Sequence, residues 1–385
     1  MKIALISHGP PGDPRTFSGI PWYVLQELRR QGHEVAPFYA EPAKWAKQWA
    51  QMKHRWSLKF SRQPHHFEAD AWILRTRSRR VARQIRAFAP EAVLCVGFPE
   101  AALALPERPP IYVWMDAMFP TVRPIYSYFR DYYSECDTRV LRRLEGEVLQ
   151  RCRRIWLSSE WAVEEARRDF PRAAGRMGVQ SFGANLAEPP TGGMVEKFIA
   201  ARNLAEPTLL FLANEWERKG GDTAVETVRR LRERGVGAKL TVVGLKERPA
   251  NVPEAAWLDW VGPLDKGQPA EARRLRDYLA TSTFLLLPTT ADCTPIVCHE
   301  AAAYGLPVLA TDVGGLPSTV GSGESGILWP VAKFLEEAPP WIAATLADRA
   351  RYETLARGAR RRYETTGNWA VNVRAVAAAM AAENV

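Results

Sequence analysis

Two carboxylates, Asp292 and Glu300, frame the stretch Asp292-Cys293-Thr294-Pro295-Ile296-Val297-Cys298-His299-Glu300, which reads as a loop running into a helix. The apolar run Phe284-Leu285-Leu286-Leu287 ahead of it is a strand, Thr294 before Pro295 is a favourable cap and first-turn pair, and Gly305 with Pro307 stops the helix after Tyr304. That helix, Pro295 to Tyr304, is apolar nearly all round and holds one carboxylate, no Lys and no Arg, so it is expected to be buried. A buried, ionised Glu300 needs a polar partner that the neighbouring sequence does not supply, and ribose hydroxyls would serve. The helix start offers backbone N–H groups and a positive dipole end just after a strand, where open α/β sheets hold ligands. On these residues alone the alternative is equally open: Glu300 pairs with a distant Arg, and Asp292 is only a loop carboxylate.

A second constellation, Asn214-Glu215-Trp216-Glu217-Arg218-Lys219-Gly220-Gly221, also follows a strand and precedes a helix. Two adjacent cations followed by two glycines let side chains and backbone close on a diphosphate leaving group, whose charge grows as the bond to the sugar breaks. An isolated Arg-Lys pair of this kind is otherwise a solvated turn.

The elements that must position these residues follow from hydrophobic patterning. Apolar runs at Ile3–Ser7, Glu34–Tyr39, Ala92–Gly97, Ile111–Met115, Ile155–Ser158 and Val179–Phe182 alternate with helical stretches, the pattern of a parallel sheet covered on both faces. The first helix starts near Pro21 and ends before Gly32. Turn formers at Glu188–Gly193 read as a linker, and a second series follows at Thr208–Ala213, Lys239–Gly244, Trp257–Val261, Phe284–Leu287, Val308–Thr311 and Ile327–Trp329. The expected class is α/β, with two doubly wound Rossmann-like domains facing a central cleft. The expected bounds are 1–187, a linker at 188–206, and 207–365, with a terminal helix at about 366–385 that packs either on its own domain or back on the first.

The 385 residues suit two domains, and 46% hydrophobic with 25% charged residues is a globular composition. Without an apolar run near the roughly 18 to 20 residues of a membrane span, and with Lys2–Ser7 too short for a signal-peptide core, the expected location is cytoplasmic. Five cysteines without metal-type spacing read as thiols rather than a disulfide framework or structural zinc. The net charge of +9 is concentrated: between Glu41 and Arg86 twelve Lys or Arg face three Asp or Glu.

The acidic residue, seven residues and Glu, followed by Gly-Leu-Pro-Val-Leu-Ala-Thr-Asp-Val-Gly-Gly-Leu-Pro (Gly305–Pro317) and preceded by Trp-Glu-Arg-Lys-Gly-Gly, resembles the family 4 glycosyltransferases of the GT-B fold. Ser18-Gly19, Gly32-His33-Glu34-Val35 and Phe182-Gly183-Ala184-Asn185 also match family positions, so the likeness runs along essentially the whole chain. The resemblance implies a retaining hexosyltransferase that moves a sugar from a UDP- or GDP-linked donor to a hydroxyl acceptor, with the departing phosphate as base and no essential metal or other cofactor. It implies that Glu300 holds the ribose, and that Arg218 and Lys219 hold the diphosphate. Asp292, Thr294, Pro295, Ile296 and Val297 take the donor sugar, Gly262 and Leu264 complete the nucleotide site, and Gly19 lets the first domain's loop approach the diphosphate. Two positions depart from the common pattern: Asp292 stands where Glu is usual, and Asp116, after the Ile111–Met115 strand, stands where a His near the reacting sugar is usual. Asp116 is kept as an active-site candidate beside the reading of a strand-end carboxylate.

Trp45, Trp49, Met52, Trp56 and Phe60 recur at helical spacing, bordered by Lys44, Lys47, Lys53, Arg55 and Lys59. An aromatic stripe beside cations suits an anionic membrane surface and a lipid-linked acceptor, with the protein peripheral on the inner face of the membrane. The competing reading packs the stripe into the first domain. No nucleic-acid-binding motif accompanies the charge. Within the fold the rival functions are a nucleotide-sugar epimerase or hydrolase, and outside catalysis a nucleotide-sugar-binding protein. A dinucleotide-dependent dehydrogenase is disfavoured because neither domain shows Gly-x-Gly-x-x-Gly after its first strand.

Overall fold

Short apolar runs form two parallel sheets in a computed structural model that describes residues 1–39, 41, 44–61 and 66–383. The strands are β1 (Lys2–Ser7), β2 (Glu34–Phe38), β3 (Ala92–Val96), β4 (Ile111–Met115), β5 (Arg154–Leu157), β6 (Met177–Val179), β7 (Thr208–Leu212), β8 (Lys239–Val243), β9 (Leu258–Gly262), β10 (Phe284–Leu287), β11 (Val308–Thr311) and β12 (Gly326–Trp329). The first sheet has the order β2-β1-β3-β4-β5-β6 and the second β12-β11-β10-β7-β8-β9. Central strands such as β3 and β4 are buried along their length, which is why they read as continuous apolar runs rather than alternating ones.

The chain forms two compact units, one of Met1–Phe182 with Trp369–Val385 and one of Gly183–Asn368. In unit 1 the terminal helix Trp369–Glu383 lies against the helix Ile20–Arg30: Trp369 stacks on Tyr23 at 6.2 Å, and Gln31 Nε2 donates to the Ala370 carbonyl at 3.1 Å. In unit 2 alternate strand residues feed opposite layers. Leu209, Phe211, Leu240, Val242, Phe284 and Leu286 join one core with Val228, Leu231 and Ile342. Leu210, Val243, Leu285 and Leu287 join the other with Leu275, Leu279, Cys298 and Ala301.

Two boundaries differ from the sequence reading. The stretch 188–206 is not a linker: Gly192–Ala201 is a helix capped by the Thr191 hydroxyl, and its Val195 and Ile199 are fully buried in unit 2. Its Pro-Pro and Gly-Gly dipeptides mark the helix entry. Likewise β6 is Met177–Val179, three residues that end where a strand Val179–Phe182 was expected, because the chain leaves the sheet after the Gln180 N–H bonds the Leu157 carbonyl at 2.8 Å.

The helix Lys44–Ser61 buries Ala46 and Ala50 and turns its aromatic stripe outward, with Trp45, Trp49, Met52, Trp56 and Phe60 between 41% and 76% exposed. The packed reading of this stripe holds only in part: Ala46 and Ala50 are buried, while the stripe itself is half-covered at Trp45, Trp49 and Met52 and more open at Trp56 and Phe60. Trp45 meets Trp72 edge to face at 5.1 Å, and Lys53 reaches the Asp70 carboxylate at 2.8 Å, where Asp70 also caps the helix Ala71–Phe88. The side chains of Lys44 and Lys47 lie outside the described residues. Among the described residues no helix is long and apolar enough to cross a membrane.

Candidate active site

The order of the second sheet reverses between β7 and β10, which pair in parallel, so their carboxyl ends adjoin at the crevice where open α/β sheets accept ligands. The turn after β7 carries Arg218 and Lys219, and the loop after β10 carries Asp292. Gly220 makes their approach possible. It has φ +78°, and a Cβ there would lie 2.0 Å from the Pro288 carbonyl oxygen. The two segments are then stitched by the Arg218 carbonyl, which accepts from the Thr290 N–H at 2.8 Å and the Thr289 hydroxyl at 2.9 Å. On the far side of Asp292, Gly314 at φ +52° would place a Cβ 2.1 Å from the Asp292 carbonyl oxygen, and the Gly315 N–H bonds that oxygen at 3.0 Å. This explains the Gly-Gly after β11.

The charges of the site are already matched against one another. Lys219 Nζ donates to Asp292 Oδ2, both side chains being buried, and Arg218 Nη1 stands 3.5 Å from the same oxygen. Arg218 also makes a two-point contact with Glu215, at 2.9 and 3.1 Å, and donates to the Ala291 carbonyl at 2.9 Å. Glu300, 3% exposed, accepts from Lys266 Nζ. The partner demanded by a lone carboxylate in an apolar helix is thus a lysine from the segment after β9 and not an arginine.

Local chemistry narrows what the neighbouring groups do. The helix is Ile296–Ala303 with Pro295 at the cap position, and the Thr294 hydroxyl donates back to the Cys293 carbonyl at 2.7 Å, so Thr294 is not the cap expected from sequence. Burial, with Asp292 nearby, pushes the Cys298 thiol well above its ordinary value, which leaves it protonated and a poor nucleophile. Burial, with Arg362 adding, lowers His299 to about 3, so its ring is neutral. Ile296, Val297, Gly262 and Leu264 lie in the same unit, with Gly262 at φ +84° ending β9 and Leu264 and Val297 packed on the core beside Cys298.

In unit 1 another set of loops lies at the carboxyl ends of the strands. Its order reverses between β1 and β3, and the segment after β1 runs through Phe17 (φ 45°), Ser18 (φ 56°) and Gly19 (φ 86°), consecutive left-handed residues that hold a strained turn. His8 packs edge to face on Phe98 at 5.1 Å, and burial followed by the Arg77 charge lowers its pKa. Asp116 directly follows β4: its Oδ1 accepts from the Ala117 N–H at 2.8 Å and its carbonyl from the Ser158 hydroxyl at 3.0 Å. Behind that turn the Glu145 carboxylate accepts from the Phe119 N–H at 3.2 and 3.3 Å. Glu145 and the nearby Glu100 are both buried, and burial raises both, Glu100 to about 7.

Arg218, Lys219, Asp292 and Glu300 therefore all belong to unit 2, while Gly19 and Asp116 occupy the strand-end loops of unit 1. Sequence reasoning missed Lys266, His8, Glu100 and Glu145. Only Lys266 had a signal, in the unmet need of Glu300. Among the described residues no cluster of three or more His, Cys, Asp or Glu side chains is arranged to hold a metal ion.

Two parallel six-stranded sheets in two units define the class as the GT-B fold. The chain aligns with sucrose-phosphate synthase from Thermosynechococcus elongatus at TM-score 0.66 and 18% identity over 99% of this chain and 98% of that one. It aligns with the Anabaena protein HepE in complex with UDP at TM-score 0.60 and 14% identity over 99% and 100%. At such identities the likeness is one of fold. The likeness at family level lies in unit 2, whose residues 206–339 match the family described as Glycosyl transferases group 1. A D-inositol 3-phosphate glycosyltransferase of Xylanimonas cellulosilytica is 33% identical over 159 residues, 40% of this chain and 37% of the relative. The chain thus spans little more than a third of that relative's length.

Proposed function

We propose that the protein transfers a hexose, with retention of anomeric configuration, from a UDP- or GDP-linked donor to a hydroxyl of an acceptor held by unit 1. The observation that carries this reading is the convergence of Arg218, Lys219 and Asp292 at the β7/β10 switch point, with the buried Glu300 on the helix that follows. A diphosphate takes the two cations, a ribose takes Glu300, and the helix start at Ile296 and Val297 offers backbone N–H groups to the sugar. The group 1 family match, and the UDP bound by the Anabaena protein of like fold, support a nucleotide-linked donor.

In the reaction the bond from the anomeric carbon to the diphosphate oxygen breaks and a bond from the acceptor oxygen to that carbon forms. The acceptor's proton passes to the departing diphosphate. Arg218 and Lys219 stabilise the charge that grows on the leaving group, and Asp116 is read as the acceptor-side residue that orients the reacting sugar. No metal is required in this scheme, because the two cations supply the countercharge. The exposed aromatic face of Lys44–Ser61, with Lys53, Arg55 and Lys59 exposed around it, suits an anionic membrane and so an acceptor carried by lipid.

Incubation with a panel of labelled UDP- and GDP-sugars, with and without acceptor extracts and with EDTA throughout, tests the reading. Labelled product that requires acceptor is expected. Epimerised or hydrolysed donor formed equally without acceptor would contradict it.

A further inference from the structure

The Lys266–Glu300 contact is asymmetric. Glu300 is 3% exposed on a helix whose Cys298, Ala301, Ala302 and Ala303 are buried as well, whereas the Lys266 side chain is 46% exposed. The turn that presents Lys266 is fixed on both sides: the Asp265 N–H donates to Glu271 at 2.6 Å and the Gly267 N–H to Asp265 at 2.8 Å. The lysine stem therefore reaches inward from a defined turn while keeping access to water. Such a pair holds the carboxylate, which would otherwise be buried without a donor, yet it releases the ammonium at little cost because much of that group's hydration is retained.

A ribose and this ammonium compete for one carboxylate. A vicinal diol offers two O–H donors to the two oxygens of Glu300, one of which is now held by Lys266 Nζ. We propose that Lys266 is a displaceable latch: it satisfies Glu300 while the site is empty and is exchanged for ribose hydroxyls when the nucleotide enters. The inference rests on the reading of Glu300 as the ribose-binding carboxylate. Lys266 is then a positioning residue that sets donor affinity without itself holding the donor, and nucleotide binding is coupled to movement of the segment between β9 and the helix Pro269–Thr281.

Calorimetric titration of UDP and GDP into the full chain and into Lys266→Met, Lys266→Arg, Glu300→Gln and the Lys266→Met/Glu300→Gln double variant tests it. Removing a half-exposed partner should tighten nucleotide binding roughly two- to fivefold in Lys266→Met. The donor KM should fall while kcat holds, Lys266→Arg should restore wild-type values, and the gain should vanish in the Glu300→Gln background. The ligand-free melting temperature of Lys266→Met should drop, and the deficit should close at saturating nucleotide. If Lys266→Met binds more weakly or unchanged, or if its gain persists without Glu300, the latch is wrong while nucleotide binding stands. If Glu300→Gln binds as well as wild type, or neither nucleotide binds wild type, the ribose assignment fails and the latch with it.

Discussion

Lys219 donates directly to Asp292, a contact that joins the turn after β7 to the loop after β10 across the switch point of the second sheet. Both side chains are nearly excluded from solvent, so the pair does two things at once. It fixes the loop from which the helix Ile296–Ala303 starts, and on the proposed reading it holds a cation beside a carboxylate that a sugar hydroxyl takes over.

Lys219→Ala leaves Asp292 buried with Arg218 at 3.5 Å as the remaining cation. Breaking a buried pair from one side costs about 3 kcal/mol, so unit 2 should melt earlier, and transfer should fall by at least an order of magnitude through kcat. Thermal denaturation and steady-state rates check this. Lys219→Met with unchanged melting and rate would contradict the assignment.

Glu100 gives unit 1 a pH dependence. Its folded pKa, about 7, lies above the ordinary 4.5 because burial disfavours the charge. The stability it contributes is whole below pH 4.5 and is lost as the pH rises through 7. Wild-type protein should therefore lose melting temperature between pH 5 and pH 8 relative to Glu100→Gln, whose profile should be flatter over that range. Parallel profiles would remove Glu100 as the cause. Glu145, raised in the same direction, Arg77, Asp169 and Tyr133 share this environment, so the variant is compared with wild type at each pH.

The outward stripe on Lys44–Ser61 makes membrane affinity measurable. Wild-type protein should co-sediment with phosphatidylglycerol vesicles at low salt, less so at high salt, and not with phosphatidylcholine alone. Trp49→Ser/Trp56→Ser should lose most of this binding while keeping its fold, since both rings are exposed. Failure of the wild type to co-sediment at low salt would rule the surface out.

The parallel sheets were legible because buried strands are continuous apolar runs and the intervening helices carry their own caps. Glu300 was legible as a residue in need of a partner, since its helix is otherwise apolar. Lys266 was not, because it lies 34 residues away in a polar turn without periodicity. The Trp stripe announced a helix but not which face is covered. That depends on Ala46 and Ala50, small residues whose contacts follow only from what the rest of unit 1 presents. Thr294 misled for a local reason: its hydroxyl has an acceptor in the preceding carbonyl and turns to it rather than to the helix. Glu100 and Glu145 come together only through the packing of Glu135–Leu149 against the segment after β3.

The central claim is that unit 2 holds a nucleoside diphosphate through Glu300, Arg218 and Lys219. Titration of UDP and GDP into wild type and Glu300→Gln is its most direct test. Loss of a charged hydrogen bond to ribose should cost about 1.5 to 3 kcal/mol, roughly a 10- to 100-fold weakening, with the fold unchanged by circular dichroism. Equal affinity of the two proteins for the nucleotide that binds would contradict the account.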